Sequence, residues 1–422
     1  MIARAAPAPA SADAARASWT CPFCALLCND LAVAHADASA ASGNPCARSA
    51  AALSRLAATA AAASALIDGQ HASLDAALDA AAQRVASWRQ PLLAGLGTDI
   101  AGARAVYRLA ARTGAICDHA DGAALMHGQR ALQDRGQFTA TLGELRSRAD
   151  LVVCVGTSAS DRFPRFFDRI GIGQSGSPCR RLVFVGRAPP GGLPANLAVD
   201  AVPGSGDLFA DLQQLNALAA RQWLREADAS LRQLADRLGD ARYAVLVWEA
   251  AALPAHGALI VEALNRLVGT LNRSTRAASF GLGGSDGGHS VNQTLAWLGG
   301  LPLRTRAAPE GLQHEPHRFD TARLLAQGAV DGIVWISSFD PQRVPPASTL
   351  PLVVLGPPAM ASRVRAGACV FFPVATPGLD AAGHLFRTDG PIVVPVFAVR
   401  DDAPNGVARV LDGIARRLGQ GT

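Results

Sequence analysis

Four cysteines stand close together near the start of the chain, in Trp19-Thr-Cys21-Pro-Phe-Cys24-Ala-Leu-Leu-Cys28-Asn-Asp30 and, after seventeen intervening residues, Cys46. Gaps of two and three residues let three thiolates from one tight loop converge on a single centre, and the fourth arrives from the next stretch of chain. Four thiolates suit either a [4Fe-4S] cluster or tetrahedral zinc, and the spacing leans toward iron and sulfur. The plain alternative is a reduced, empty cysteine cluster that has kept the spacing without a metal. A second pair, His314 and His317, has a spacing that chelates metal on a helix, but Pro316 between them argues against helical geometry. No Gly-x-Ser-x-Gly elbow occurs, so a serine hydrolase lacks its anchor.

The segments that must position these groups alternate between two patterns. Helix-like alanine stretches cover 47–63 and 74–88. Short apolar runs follow at 91–95, 151–155, 182–185, 243–248, 332–336, 352–355 and 368–372, with helical patterns or loops between them. Runs apolar on both faces are what parallel sheets require, so the expected fold class is α/β, doubly wound, with mostly parallel sheets. Residues 208–238 read as paired amphipathic helices and 405–418 as a terminal helix whose Arg416 and Arg417 favour its dipole. Pro/Gly-rich breaks at 188–192 and 341–346 are loops, and there is no internal repeat.

The chain has 422 residues, half of them hydrophobic, which is enough for a large core. Its 39 basic residues are all Arg; the absence of Lys excludes Schiff-base chemistry and a Walker-type phosphate lysine. A net charge of +5 spread along the chain, with 5% aromatics, does not point to nucleic acid. A modest preference for anionic ligands remains. No apolar run reaches membrane-spanning length and residues 1–18 lack a secretory core, so a soluble, cytoplasmic protein is expected, with 1–18 a loose tail. In that compartment clustered cysteines point to metal rather than disulfides.

The stretch Cys21-Pro-Phe-Cys-Ala-Leu-Leu-Cys-Asn-Asp-Leu31 resembles the amino-terminal cluster motif of the B subunits of formylmethanofuran dehydrogenases, of the molybdopterin oxidoreductase superfamily. Gly287-Gly-His-Ser-Val-Asn-Gln-Thr-Leu-Ala-Trp-Leu-Gly-Gly-Leu-Pro302 is similar to a second region of that family. Gly114-Ala-Ile-Cys-Asp-His119, Trp335-Ile-Ser-Ser-Phe-Asp-Pro341 and Phe386-Arg-Thr-Asp-Gly390 match further pieces in the expected order. The resemblance implies a molybdopterin oxidoreductase fold, a small Cys-rich module over 19–65, and a body over 66–422 that divides into as many as two subdomains. It also implies that Cys21, Cys24, Cys28 and Cys46 ligate the cluster. Asp118, His119, His127, Gly288, Asn292, Gln293 and Arg387 would be remnants of a pterin cavity, with no catalytic residue among them. In Gly281-Leu-Gly-Gly-Ser-Asp-Gly-Gly288 the glycines would let a backbone approach a ligand closely, and a plain flexible loop is an equal reading.

One departure stands out. The dehydrogenases of this family carry a metal-ligating cysteine just before a His-Gly pair, whereas here Met126 precedes His127-Gly128. A neutral thioether is a poor donor to a high-valent, hard metal, so the molybdenum- or tungsten-pterin centre is expected to be missing. Cys117 lies in an apolar run and reads as packing rather than as a substitute ligand. The chain therefore also resembles the B subunits of the formyltransferase/hydrolase complexes of methylotrophic bacteria, which release formate without redox chemistry. That resemblance implies a structural, carrier-binding subunit in tetrahydromethanopterin-linked one-carbon metabolism. Its partners would be the other subunits of the complex and a furan carrier with an anionic polyglutamyl tail, for which Arg is a suitable partner. The rivals are an active Mo/W-pterin dehydrogenase with a [4Fe-4S] cluster, and a zinc-stabilised interaction protein.

Overall fold

The computed structural model of the chain describes residues 16–34, 41–57, 64–179, 181–400 and 404–419. Two sheets form its centre. One is five-stranded and wholly parallel, in the spatial order Ala198–Val202, Arg181–Val185, Leu151–Val155, Ala244–Glu249, Ala277–Leu282. The other is nine-stranded. Its middle is parallel, running from Ile116–Cys117 through Pro91–Gly97, Gly332–Ser337 and Leu352–Gly356 to Cys369–Pro373. Antiparallel hairpins finish both edges, Thr305–Ala308 with Gly311–His314 and Ala65–Ile67 with Gln70–Ala72. Every residue of Pro91–Gly97, Leu151–Val155 and Ala244–Glu249 is buried, because helices cover both faces and no alternation is possible.

The expected α/β class with parallel sheets is therefore present, and all seven apolar runs named from the sequence coincide with strands, Tyr243 and Ala368 each standing one residue ahead of its strand. The helical expectations also hold: Leu208–Ala219 and Ala229–Asp240 are the paired helices, Val407–Leu418 is the terminal one, and Leu74–Ser87 and Ala47–Ala57 occupy the alanine stretches. Residues 58–63, expected to continue the first helix, lie outside the described residues. So do residues 1–15 of the expected tail, whereas Arg16–Trp19 is a strand paired with Leu31–Ala34. Among the described residues six helices start at an Asp, Ser or Thr whose side chain accepts a backbone N–H, including a Thr141/Glu144 capping box. Among the described residues no helix is long and apolar enough to cross a membrane.

Strand order determines where a ligand would sit. In the smaller sheet the chain moves outward in one direction from Leu151–Val155 and in the other from Ala244–Glu249; in the larger it does so from Pro91–Gly97 and Gly332–Ser337. Each reversal leaves a crevice at the carboxyl ends of its strands. The residues following those ends, Asp121, Arg162, Ala250, Gly283 and Arg343 among them, line two adjoining hollows.

Candidate functional site

The cysteine loop is built by its backbone. Cys21 N–H donates to the Cys28 carbonyl (2.9 Å), Leu27 N–H to the Cys24 carbonyl (3.1 Å), and Leu27 takes φ +45° to close the turn. Cys21, Cys24 and Cys28 are buried and Cys46, just before the Ala47–Ala57 helix, is half-buried. Burial pushes the Cys21 thiol up to about 12, and the neighbouring Cys28 and Cys46 add to that; burial raises Cys24 and Cys28 as well. The expected four cysteines thus share one neighbourhood. As placed, however, Cys24 and Cys28 pack with Leu26, Phe163 and Phe166, and Cys21 with Trp19, Phe23 and Leu53. Among the described residues no group of three or more His, Cys, Asp or Glu is arranged to hold a metal ion. His314 and His317 follow suit: His314 is in a strand, its Nδ1 against Thr305 Oγ1 at 3.0 Å.

The module is fastened to the body by Asp30, which accepts from Arg165 Nη1 at 2.7 Å, and by Trp19 Nε1 donating to the Gly378 carbonyl at 2.6 Å. The hydrogen bond from Arg165 holds the Asp30 carboxyl below its usual range.

Asp118 and His119 follow the Ile116–Cys117 strand and are buried. Asp118 accepts from Arg304 Nε (3.0 Å), Thr321 N–H (2.9 Å) and Thr321 Oγ1 (2.9 Å). Burial pushes its carboxyl upward, while Arg304 and Thr321 pull it back. Arg304 is itself buried, sits at φ +63°, and reaches Asp320 at 2.6 Å as well. His119 Nδ1 accepts from Asp121 N–H (2.9 Å), which leaves Nε2 to donate to the Asp286 carbonyl (3.3 Å). That tautomer is neutral, and burial accordingly lowers the His119 pKa.

The glycine-rich loop packs against protein. Gly287 has φ +76°, and a Cβ there would lie 2.1 Å from the Thr98 carbonyl oxygen; a Cβ on Gly288 would lie 2.9 Å from the His119 ring. Gly288 opens the Gly288–Gly299 helix, in which buried Asn292 donates to Gln129 Oε1 (3.1 Å) and accepts from Leu303 N–H (3.2 Å). Gln293, next to it, is half-buried. The Arg387 guanidinium holds Asp389 at 2.6 and 2.8 Å, and Asp389 in turn accepts from Leu142 N–H.

Met126 and His127 lie on the Gly122–Arg135 helix, which forms one wall of a cleft of about 540 Å³. Met126 is buried in an apolar cluster with Val291 and Leu295. Cys117 belongs to the same cluster, its thiol pushed up by burial to about 12. Neither supplies an anionic donor to the cleft, so the residues present do not fit a high-valent molybdenum or tungsten ion. His127 is half-buried, its pKa lowered first by burial and then by the cations Arg130 and Arg304.

The sequence reading missed the arginines. Arg130, Arg304 and Arg323 line the larger cleft. Arg48, Arg162 and Arg343 line the adjoining hollow of about 160 Å³, each paired: Arg48 with Asp286 (3.4 Å), Arg162 with Glu249 (2.8 Å), Arg343 with Asp121 (3.0 Å) and Asp286 (3.2 Å). In a chain whose only strong cation is Arg, no local pattern distinguishes these six from the rest.

No model of a protein family matches the chain. It is 31% identical over 328 residues to the B subunit of the formyltransferase/hydrolase complex Fhc of Methylorubrum extorquens, covering 76% of this chain and 87% of that protein. It is 24% identical over 306 residues to the B subunit of the tungsten-containing formylmethanofuran dehydrogenase 2 of Methanococcus maripaludis, covering 67% and 68%. The corresponding protein of Methanocaldococcus jannaschii is 26% identical over 326 residues, covering 71% and 72%. Among solved structures, a chain of the formyltransferase/hydrolase complex FhcABCD of Methylorubrum extorquens, crystallised with methylofuran, aligns with a TM-score of 0.75 at 29% identity. That alignment covers 85% of this chain and 99% of that one.

Proposed function

The chain belongs to the family of formyltransferase/hydrolase complex B subunits, and on that premise we propose that it is a non-redox structural and carrier-binding subunit of such a complex. The complex converts formyl-tetrahydromethanopterin to formate through a formylated furan carrier, with transfer and hydrolysis carried out on other subunits. The observation that carries this reading is Met126, buried in apolar packing where a redox relative needs an anionic metal ligand. The fold is then of the molybdopterin oxidoreductase type, with a Cys-rich module over 19–65 and a body over 66–422. Asp118, His119, His127, Gly288, Asn292, Gln293 and Arg387 would be the remnants of its cofactor cavity. The protein works in the cytoplasm.

Cys21, Cys24, Cys28 and Cys46 support a second reading, an active Mo/W-pterin dehydrogenase with a [4Fe-4S] cluster, since four thiols in one neighbourhood are what such a cluster requires. The two readings part on electrons. The complex purified through this chain, supplied with formyl-tetrahydromethanopterin and carrier, should release formate with no electron acceptor present. Turnover that requires a viologen dye or another acceptor would establish the dehydrogenase instead.

A further inference from the structure

The large cleft carries charge that its own residues leave uncompensated. Its two carboxylates are both engaged: Asp320 with Arg304 at 2.6 Å, Asp121 with Arg343 at 3.0 Å. Arg304 is further committed to Asp118 and to the Pro316 carbonyl. Arg130, on the Gly122–Arg135 helix, and Arg323, on the Thr321–Ala326 helix, have no hydrogen-bond or ion-pair partner for their guanidinium groups among the described residues. His127 and His317 line the same space and also lack a side-chain partner there. Between them the walls are small and apolar, supplied by Ala124, Ala251 and Pro254. The volume of about 540 Å³ is that of a ligand site. The neighbouring hollow makes the contrast: there every arginine has its carboxylate.

We propose that this cleft binds a small molecule bearing at least two anionic groups, with Arg130 and Arg323 gripping separate groups from two different helices. Guanidinium forks take carboxylate and phosphate alike, so the shared chemistry is a di- or polyanion. As the place where the chain would hold its one-carbon carrier, the site rests on the reading above. As an anion site, it can be tested without that reading.

The test is calorimetric titration of the full chain, within whatever complex it forms, with a triglutamate peptide, pyrophosphate and acetate. Triglutamate, pyrophosphate or both should bind on the order of 10-fold or more tighter than acetate, the preferred one giving the chemistry of the natural ligand. The R130Q/R323Q double variant should lose on the order of 10-fold or more of that affinity. Arg108→Gln, which removes a cation paired with Asp412 outside the cleft, should bind as the native chain does. Arg323 is exposed and Arg130 unpaired, so the double variant should keep the native Tm. Binding of acetate as tight as that of the tighter-binding polyanion, or undiminished polyanion binding by the double variant, would overturn the proposal. A chain that binds polyanions through these arginines yet enters no complex would sink the earlier reading and leave this one standing.

Discussion

Asp118 and Arg304 are a buried pair that the Thr321 backbone and hydroxyl complete, and their geometry explains why a carboxylate follows the Ile116–Cys117 strand. Asp118→Ala would leave the Arg304 guanidinium buried with only Asp320 and a carbonyl for company. Stability should fall by about 3–5 kcal/mol, read by denaturant unfolding; a loss near zero would mean that the pair is not formed. His119 supplies a pH signature. Its pKa in the folded chain lies below the ordinary 6.5 because burial disfavours the charged ring, and Nδ1 must stay unprotonated to accept from Asp121 N–H. The unfolded chain therefore binds the extra proton first, and stability declines as pH falls from about 6.5 toward the folded value. His119→Asn should flatten the slope of Tm against pH between about 5 and 7; an unchanged slope would assign the acid sensitivity elsewhere. Asp118, His119 and His127 could be found from sequence because they sit in short motifs. Arg130 and Arg323 could not, since what sets them apart is the carboxylates they lack, a property of three-dimensional neighbours.

At the scale of elements, the buried parallel strands were readable as unbroken apolar runs, and the helices as amphipathic stretches. Ala277–Leu282 escaped notice because Ala-Ala-Ser carries no β-branched signal; neighbouring Ala244–Glu249, rather than propensity, makes it a strand. The edge hairpin Thr305–Ala308/Gly311–His314 and the separate two-stranded sheet of Gly383–Phe386 and Val393–Val396 escaped for a similar reason: they are short and partly exposed. The Cys-bearing loop is an element with its own hold on the body, through Asp30 and Arg165. Arg165 keeps the Asp30 carboxyl below its usual range, so this hold is present at neutral pH and is lost as pH falls through that lowered value. Arg165→Ala should speed proteolytic cleavage within residues 20–34 several-fold at pH 7 while the body resists. Cleavage at the native rate would show that Trp19 and its apolar neighbours hold the loop unaided.

At the scale of the molecule, two sheets with parallel middles turn the carboxyl ends of their strands toward adjoining hollows, the place where open α/β sheets take ligands. In this chain Met126 and paired arginines occupy the surroundings, and the larger cleft is left cationic and unpaired. The fold class follows from the pattern of apolar runs, whereas the strand order does not; the proposed loss of redox chemistry rests on one side chain, which only a family pattern makes conspicuous. The most direct test of that loss is elemental analysis for molybdenum, tungsten, iron and zinc on the protein purified anaerobically with its partner subunits. We predict neither molybdenum nor tungsten above background, with formyltransferase and hydrolase subunits co-purifying, whatever iron or zinc the four cysteines hold. Stoichiometric molybdenum or tungsten would contradict the account and make the chain a dehydrogenase.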